Sequence, residues 1–106
     1  MSKIEKPAEA VEPEEIIEAW KAICVPRGAP GIREITAERR RKLRTRLREH
    51  PSFDWWDEVF RRMTRSSFLF GGGPNGWRAS LDWLIANQTN AVKILEGKYD
   101  DIKKGK

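Results

Sequence analysis

The residue type this chain concentrates where it could act on another molecule is arginine. From Arg39 to Arg48, seven of ten residues are basic: Arg39, Arg40, Arg41, Lys42, Arg44, Arg46 and Arg48. A guanidinium is a planar fork that donates two hydrogen bonds to a phosphate, so this run is an electrostatic footprint for nucleic acid. The alternative is a solvated helix face with no partner. Charge segregation favours the first. Residues 1–20 carry six acids and two bases, residues 21–50 ten bases and three acids, and residues 51–106 nine bases and seven acids. Nothing in this pattern separates DNA from RNA.

Groups that could catalyse are few. The one histidine, His50, precedes Pro51 at a helix boundary and reads as a surface or C-terminal cap residue. The one cysteine, Cys24, falls on an apolar helix face and reads as core filler. Asp54, Asp57 and Glu58 sit where a helix begins, and acids there stabilise the helix dipole whatever else they do. No His, Cys and Asp spacing fits a metal site. The loop Gly71-Gly72-Gly73-Pro74-Asn75-Gly76 lacks the Lys and Ser or Thr that a phosphate loop places after its last glycine; Trp77 and Arg78 follow instead. A weaker role is left for Arg78, which could help the start of the next helix hold one phosphate oxygen. The expectation is a binding domain, not an enzyme, with no cofactor.

Five tryptophans divide by position. Trp20, Trp56 and Trp83 fit helix faces and read as core. Trp55 and Trp77 have less obvious packing roles; either could stack on an unpaired base or anchor a protein partner.

The elements that must position these residues are helical. Pro13 opens a helix carrying Ile16, Ile17, Trp20, Ile23 and Cys24 on one face, and Pro26 ends it. Thr36 caps a basic helix over about 37–49 with a narrow stripe of Leu43 and Leu47. Arg40, Arg41, Arg44 and Arg48 fall on one flank of that stripe, with Arg39, Lys42 and Arg46 on the other. His50-Pro51 breaks it and Ser52 caps a third helix, with Phe53, Trp56, Val59, Phe60 and Met63 inward. Phe68, Leu69 and Phe70 are expected beneath the glycine-rich loop. A short helix over about 78–86 and a last one capped by Thr89 or Asn90 and stopped by Gly97 complete the chain. No alternating pattern builds a sheet. The predicted fold is all-α, a compact bundle of about four to five short helices with a Gly-rich loop, spanning 13–99. Residues 1–12 read as a disordered acidic lead-in or linker, and 100–106 as a frayed basic tail.

The order of features from Phe53 to Tyr99 resembles the C-terminal domain of phage- and prophage-type DNA replication proteins, which are DnaD-like. The pieces are Trp56, Phe60, Ser67-Phe68-Leu69, Gly76-Trp77-Arg78-Ala79, Asp82-Trp83-Leu84, Asn90 and Lys93-Ile94-Leu95-Glu96-Gly97-Lys98-Tyr99. With the first two helices included, the resemblance runs over about residues 13–99, and it is most specific in the final segment. It implies a role in starting DNA replication: contact with single-stranded DNA and recruitment of the replicative helicase or its loader. Full-length relatives of that type usually carry an upstream winged-helix domain, which is not found in this sequence, and residues 1–12 could be the remnant of the linker to it.

The candidate nucleic-acid contacts are therefore Arg39, Arg40, Arg41, Arg44, Arg48, Arg78, Lys93 and Lys98, and the candidate partner contacts Trp55, Trp77 and Tyr99. A module that binds a helicase, a loader or another host factor without touching nucleic acid, and even inhibits it, is the alternative. A lone cysteine fits a reducing cytoplasm, and no apolar run approaches the ~18 residues needed to span a bilayer.

Overall fold

Pro13 takes the first position of helix α1 (Pro13–Ile23), where a missing N–H costs nothing. The residue before a proline is pushed to extended backbone, which is the conformation an N-cap needs. Glu12 adopts it, and its N–H donates to the Glu15 carboxylate at 3.3 Å. The computed structural model describes residues 11–101. Within them follow α2 (Ala37–Glu49), α3 (Phe53–Met63), α4 (Leu81–Ile85) and α5 (Asn90–Leu95), with one 3-10 turn, Val25–Arg27, after α1. The architecture is the expected small all-α bundle, with no strand among the described residues.

Local chemistry sets most of the helix ends. Thr36 Oγ1 accepts from the Arg39 N–H at 3.1 Å, and Ser52 Oγ from the Trp55 N–H at 3.4 Å. Gly28 leaves the 3-10 turn at φ +113, a left-handed conformation that favours glycine. Gly97, at φ +90, ends α5: its N–H donates to the Ile94 carbonyl at 3.1 Å and that of Lys98 to the Lys93 carbonyl at 3.0 Å. Those two bonds are the Schellman pair that satisfies a helix's last carbonyls.

Two ends differ from expectation. The helix expected over 78–86 begins only at Leu81, because Ser80 Oγ accepts from the Trp83 N–H at 3.0 Å and fixes the cap there. Arg78 instead pairs with Phe70 in an isolated antiparallel bridge, and the Ala79 N–H donates to the Leu69 carbonyl at 2.9 Å. At α5, Thr89 holds the cap position, but its side chain caps nothing. Asn87 Oδ1 takes over, accepting from the Thr89 and Asn90 N–H groups, both at 2.9 Å.

The helices pack in a closed circuit: α1 on α3, α3 on α5, α5 on α4, α4 on α2 and α2 back on α1. Inside it Ile16, Ile17, Trp20 and Cys24 meet Trp56, Val59, Phe60 and Met63, closed by Leu43, Leu47, Leu81, Leu84, Ile85 and Ile94. Phe60 lies edge-on to Trp20, with centroids 5.8 Å apart, and tilted against Trp56 at 6.4 Å. Edge-on and tilted pairs bring the positive rim of one ring to the negative face of the other.

The ordered chain extends past the boundaries expected for it. Val11 packs on the core and Glu12 caps α1, so the lead-in does not include them. At the other end, the Asp100 carboxylate accepts from Arg62 at 2.8 Å, and that of Asp101 from the Ser67 N–H and hydroxyl at 2.8 and 3.0 Å. Asp100 and Asp101 are therefore part of the fold rather than of a tail. The rest of the expected lead-in, residues 1–10, and of the expected tail, residues 102–106, lies outside the described residues.

Candidate nucleic-acid interface

The arginine helix α2 docks by Leu43 and Leu47, both buried, and holds its bases to either side. Those bases are mostly answered by acids. Arg39 is bound most completely: Nε and Nη2 donate to the two oxygens of Asp82, each at 2.9 Å, while Nη1 donates to the Glu34 carbonyl at 2.8 Å. These bonds hold Asp82 below the usual carboxylate range, against the opposing effect of its partial burial, and hold Arg39 above its ordinary value. The bidentate grip that suits a phosphate is thus occupied by a carboxylate from α4. Arg39 leaves the candidate contacts and becomes the tie between α2 and α4.

Arg40 reaches α1, pairing with Glu14 at 2.6 Å, and this hydrogen bond lowers the Glu14 carboxyl. Arg46, half-buried, lies 3.4 Å from Glu49. Arg41 and Lys42 share Glu38, at 2.9 and 3.5 Å. Arg44 lies 3.9 Å from Glu12, at the limit of an ion pair. Arg48 has no acid within reach among the described residues; it donates to the Thr45 hydroxyl at 3.3 Å. The helix therefore presents an exposed stripe of Arg41, Arg44 and Arg48 at i, i+3 and i+7, spread over about 10 Å of axis. Arg44 and Arg48 flank a hollow floored by Val11, Leu47 and Pro51.

The C-terminal candidates separate further. Arg78 does not stand at a helix start. Its Nη1 donates to the Gly28 carbonyl at 2.8 Å, pinning the glycine-rich loop to the turn after α1. The phosphate site expected beside it is not formed, because α4 begins three residues later. Lys93 is exposed on α5, which packs on α3 and α4 rather than on α2. Lys98 hangs over the Tyr99 ring at 5.8 Å and lines a hollow with Ser67, Phe68 and Gly72.

The tryptophans fall into two kinds by the fate of the indole N–H. Trp20 Nε1 donates to the Pro30 carbonyl at 3.0 Å and Trp56 Nε1 to the His50 carbonyl at 2.9 Å, as buried indoles require. Both are core, as expected. Trp55 is half-buried and stacks face to face on His50, with centroids 3.7 Å apart and planes 2° from parallel. That contact gives His50 and Trp55 a shared packing role at the α2–α3 corner and removes Trp55 as a free anchor. Trp83, expected in the core, is only half-buried, and Trp77 is 38% exposed. Neither indole N–H finds an acceptor among the described residues.

Trp77 and Trp83 belong to a four-ring circuit that no local sequence pattern announces. Phe68 meets Trp77 at 5.3 Å, Trp77 meets Trp83 edge-on at 5.2 Å, Trp83 meets Tyr99 edge-on at 5.7 Å, and Tyr99 lies parallel to Phe68 at 6.0 Å. Phe68, expected beneath the loop, is 39% exposed and lies over it, while Leu69 is buried and Phe70 half-buried. Phe68 and Trp77 are the exposed large hydrophobic side chains of the described chain, and they touch each other.

Cys24 and Asp57, two of the groups whose chemistry could serve catalysis, have partners or surroundings within the fold. Burial pushes the Cys24 thiol up to about 12, so it is protonated and inert at neutral pH. Asp57 pairs with Arg61 at 2.9 Å one helical turn on. No group of His, Cys, Asp and Glu among the described residues gathers as a metal site would, and no described helix is long and apolar enough to cross a membrane. Comparison of the chain with models of known families, with curated proteins and with solved structures returns no match.

Proposed function

We propose that this chain is a nucleic-acid-binding module that grips a sugar–phosphate backbone through Arg41, Arg44 and Arg48. The observation that carries this reading is Arg48, exposed and without an acid among the described residues, in line with Arg44, 3.9 Å from Glu12, and with Arg41, exposed beside Glu38. Glu12 and Glu38 stand where phosphate oxygens would arrive. A phosphodiester that displaces them gains the fork geometry a guanidinium favours. The likeness to phage-type replication proteins supplies the context: an accessory domain of a replication initiator, acting on single-stranded DNA at an opened origin and helping to recruit the replicative helicase or its loader.

The test is a titration of fluorescent single-stranded and duplex oligonucleotides across a range of salt. Binding should weaken with salt at a log–log slope of about −0.7 per phosphate engaged on a single strand. Replacing Arg44 and Arg48 with Gln should flatten that slope. Failure to bind any strand at low salt would overturn the reading.

A protein partner is favoured by a different surface. On α1, Glu14, Glu15 and Glu18 rim a hollow floored by Ala19 and Phe53. Acids around an apolar floor repel a polyanion and suit a basic, apolar segment of another protein, which is where a helicase or loader would dock. Glu18→Lys with Phe53→Ala should abolish capture of that partner and spare oligonucleotide affinity.

A further inference from the structure

We infer that Phe68, Trp77, Trp83 and Tyr99 form a platform on which an unpaired base of a single strand stacks, with Lys98 placed for the adjoining phosphate. This rests on the nucleic-acid reading above and adds to it a second site, away from α2. Four observations support it.

First, the rings come from four separate segments and close on one another, yet the circuit is not sealed: Phe68 and Trp77 are 39% and 38% exposed. Exposed apolar side chains scattered singly mean little, but these two adjoin each other. Second, the Trp77 and Trp83 N–H groups find no acceptor among the described residues, unlike those of Trp20 and Trp56. Third, the charge around the rings favours an anion. Arg62, Arg78 and Lys98 stand against Asp100 and Asp101. Asp100 is taken up by Arg62, Asp101 by Ser67, and among the described residues Lys98 has the Tyr99 ring as its partner rather than an acid. An uncharged apolar segment would gain nothing from that surplus, while a nucleotide uses ring and cation together.

Fourth, the platform is held before any ligand arrives. A side chain at Gly73 would come within 2.7 Å of the Phe68 ring, and one at Gly72 within 2.8 Å of the Ser67 carbonyl, so the loop is shaped closely around Phe68. Arg78 fastens the loop to Gly28, and Asp101 fastens the end of the described chain to Ser67. A surface ordered in advance loses less entropy on binding.

The experiment uses an oligo-dT strand and a hairpin duplex as probes. Trp77→Ala combined with Phe68→Ala should weaken oligo-dT binding roughly tenfold, with duplex binding and the salt slope unchanged, because stacking is neutral. Trp77→Phe should recover most of the loss. Lys98→Gln, which leaves the rings in place, should flatten the oligo-dT salt slope by about 0.7. Undiminished oligo-dT affinity in the double variant, shown to be folded by a cooperative melt, would overturn the platform and leave the arginine reading standing. Loss of helicase or loader capture with oligo-dT affinity intact would assign the surface to a protein and also overturn it. If the wild-type chain binds no strand, both readings fall together.

Discussion

In α2, six of the seven bases lie within ion-pair distance of an acid. Around the glycine-rich loop, four rings gather and two indole donors have no acceptor among the described residues. Both regions concentrate one residue type, and both look from the sequence like contact surfaces, but they spend their side chains differently. The arginine helix uses much of its charge inward: Arg39 ties α2 to α4, Arg40 ties it to α1, and Arg46 is half-buried beside Glu49. The aromatic surface holds itself together by ring contacts and leaves its polar edges open. Abundance of a residue type is therefore a poor guide to availability. The acceptor or counter-ion each group already has is a better one.

The largest test of this contrast sets the two kinds of tryptophan against each other. Trp56→Ala, in the core, should cost about 3–5 kcal/mol in urea denaturation, enough to unfold much of a domain this size. Trp77→Ala should cost about 1 kcal/mol, since it loses ring contacts at the surface and not a core position. Equal losses would show the aromatic surface to be part of the core and break the comparison.

Next comes the Arg39–Asp82 tie. Asp82→Asn should lower stability by about 1 kcal/mol at neutral pH, the upper range for a partly exposed bidentate pair. Asp82 has its carboxyl lowered in the folded state, so its contribution is complete above the unfolded value of about 3.9 and is lost as pH falls through the lower folded value. The two proteins should therefore differ above about pH 4 and converge below it in an acid titration of stability.

Gly73→Ala sharpens the other side. The added methyl must displace the Phe68 ring, and because the site is at the surface the cost should stay under about 1 kcal/mol. Aromatic proton shifts of Phe68, Trp77 and Tyr99 should move, while those of Trp20 and Phe60 should not.

The smallest effect on stability belongs to Arg48→Gln, which should leave the melting temperature unchanged within about 0.5 kcal/mol. Its oligonucleotide binding should lose about 0.7 of the salt slope. A stability loss as large as that of Asp82→Asn would mean that Arg48, too, serves the fold.

What the sequence made legible is what neighbouring residues determine. Thr36 and Ser52 as caps, Pro13 as an opener, Gly97 as a stop and the apolar faces of α1 and α3 all follow from interactions a few residues apart. The start of α4 departs from expectation because Trp77 and Arg78 continue a helical-looking run, which the bridge from Arg78 to Phe70 and the Ser80 cap interrupt. Pairings across the fold left no local trace. Asp82 looks like an ordinary first-turn acid until Arg39, 43 residues away, is seen bound to it. Trp83 reads as core because its spacing fits a helix face, but a helix of five residues has too little length to bury it. The ring circuit was beyond sequence reasoning for the same cause: its members are drawn from a loop, a turn, a helix and the segment after α5.

That last origin has a consequence for the order in which the molecule matures. The N-terminal part of a chain is made first, and α1, α2 and α3 carry Trp20, Leu43, Trp56 and Phe60, the larger part of the interior. Tyr99, which closes the circuit, and Asp101, which clasps Ser67, are made long after Phe68. A nascent chain thus carries its arginine stripe well before its aromatic face is complete. The two surfaces are therefore synthesised at different times.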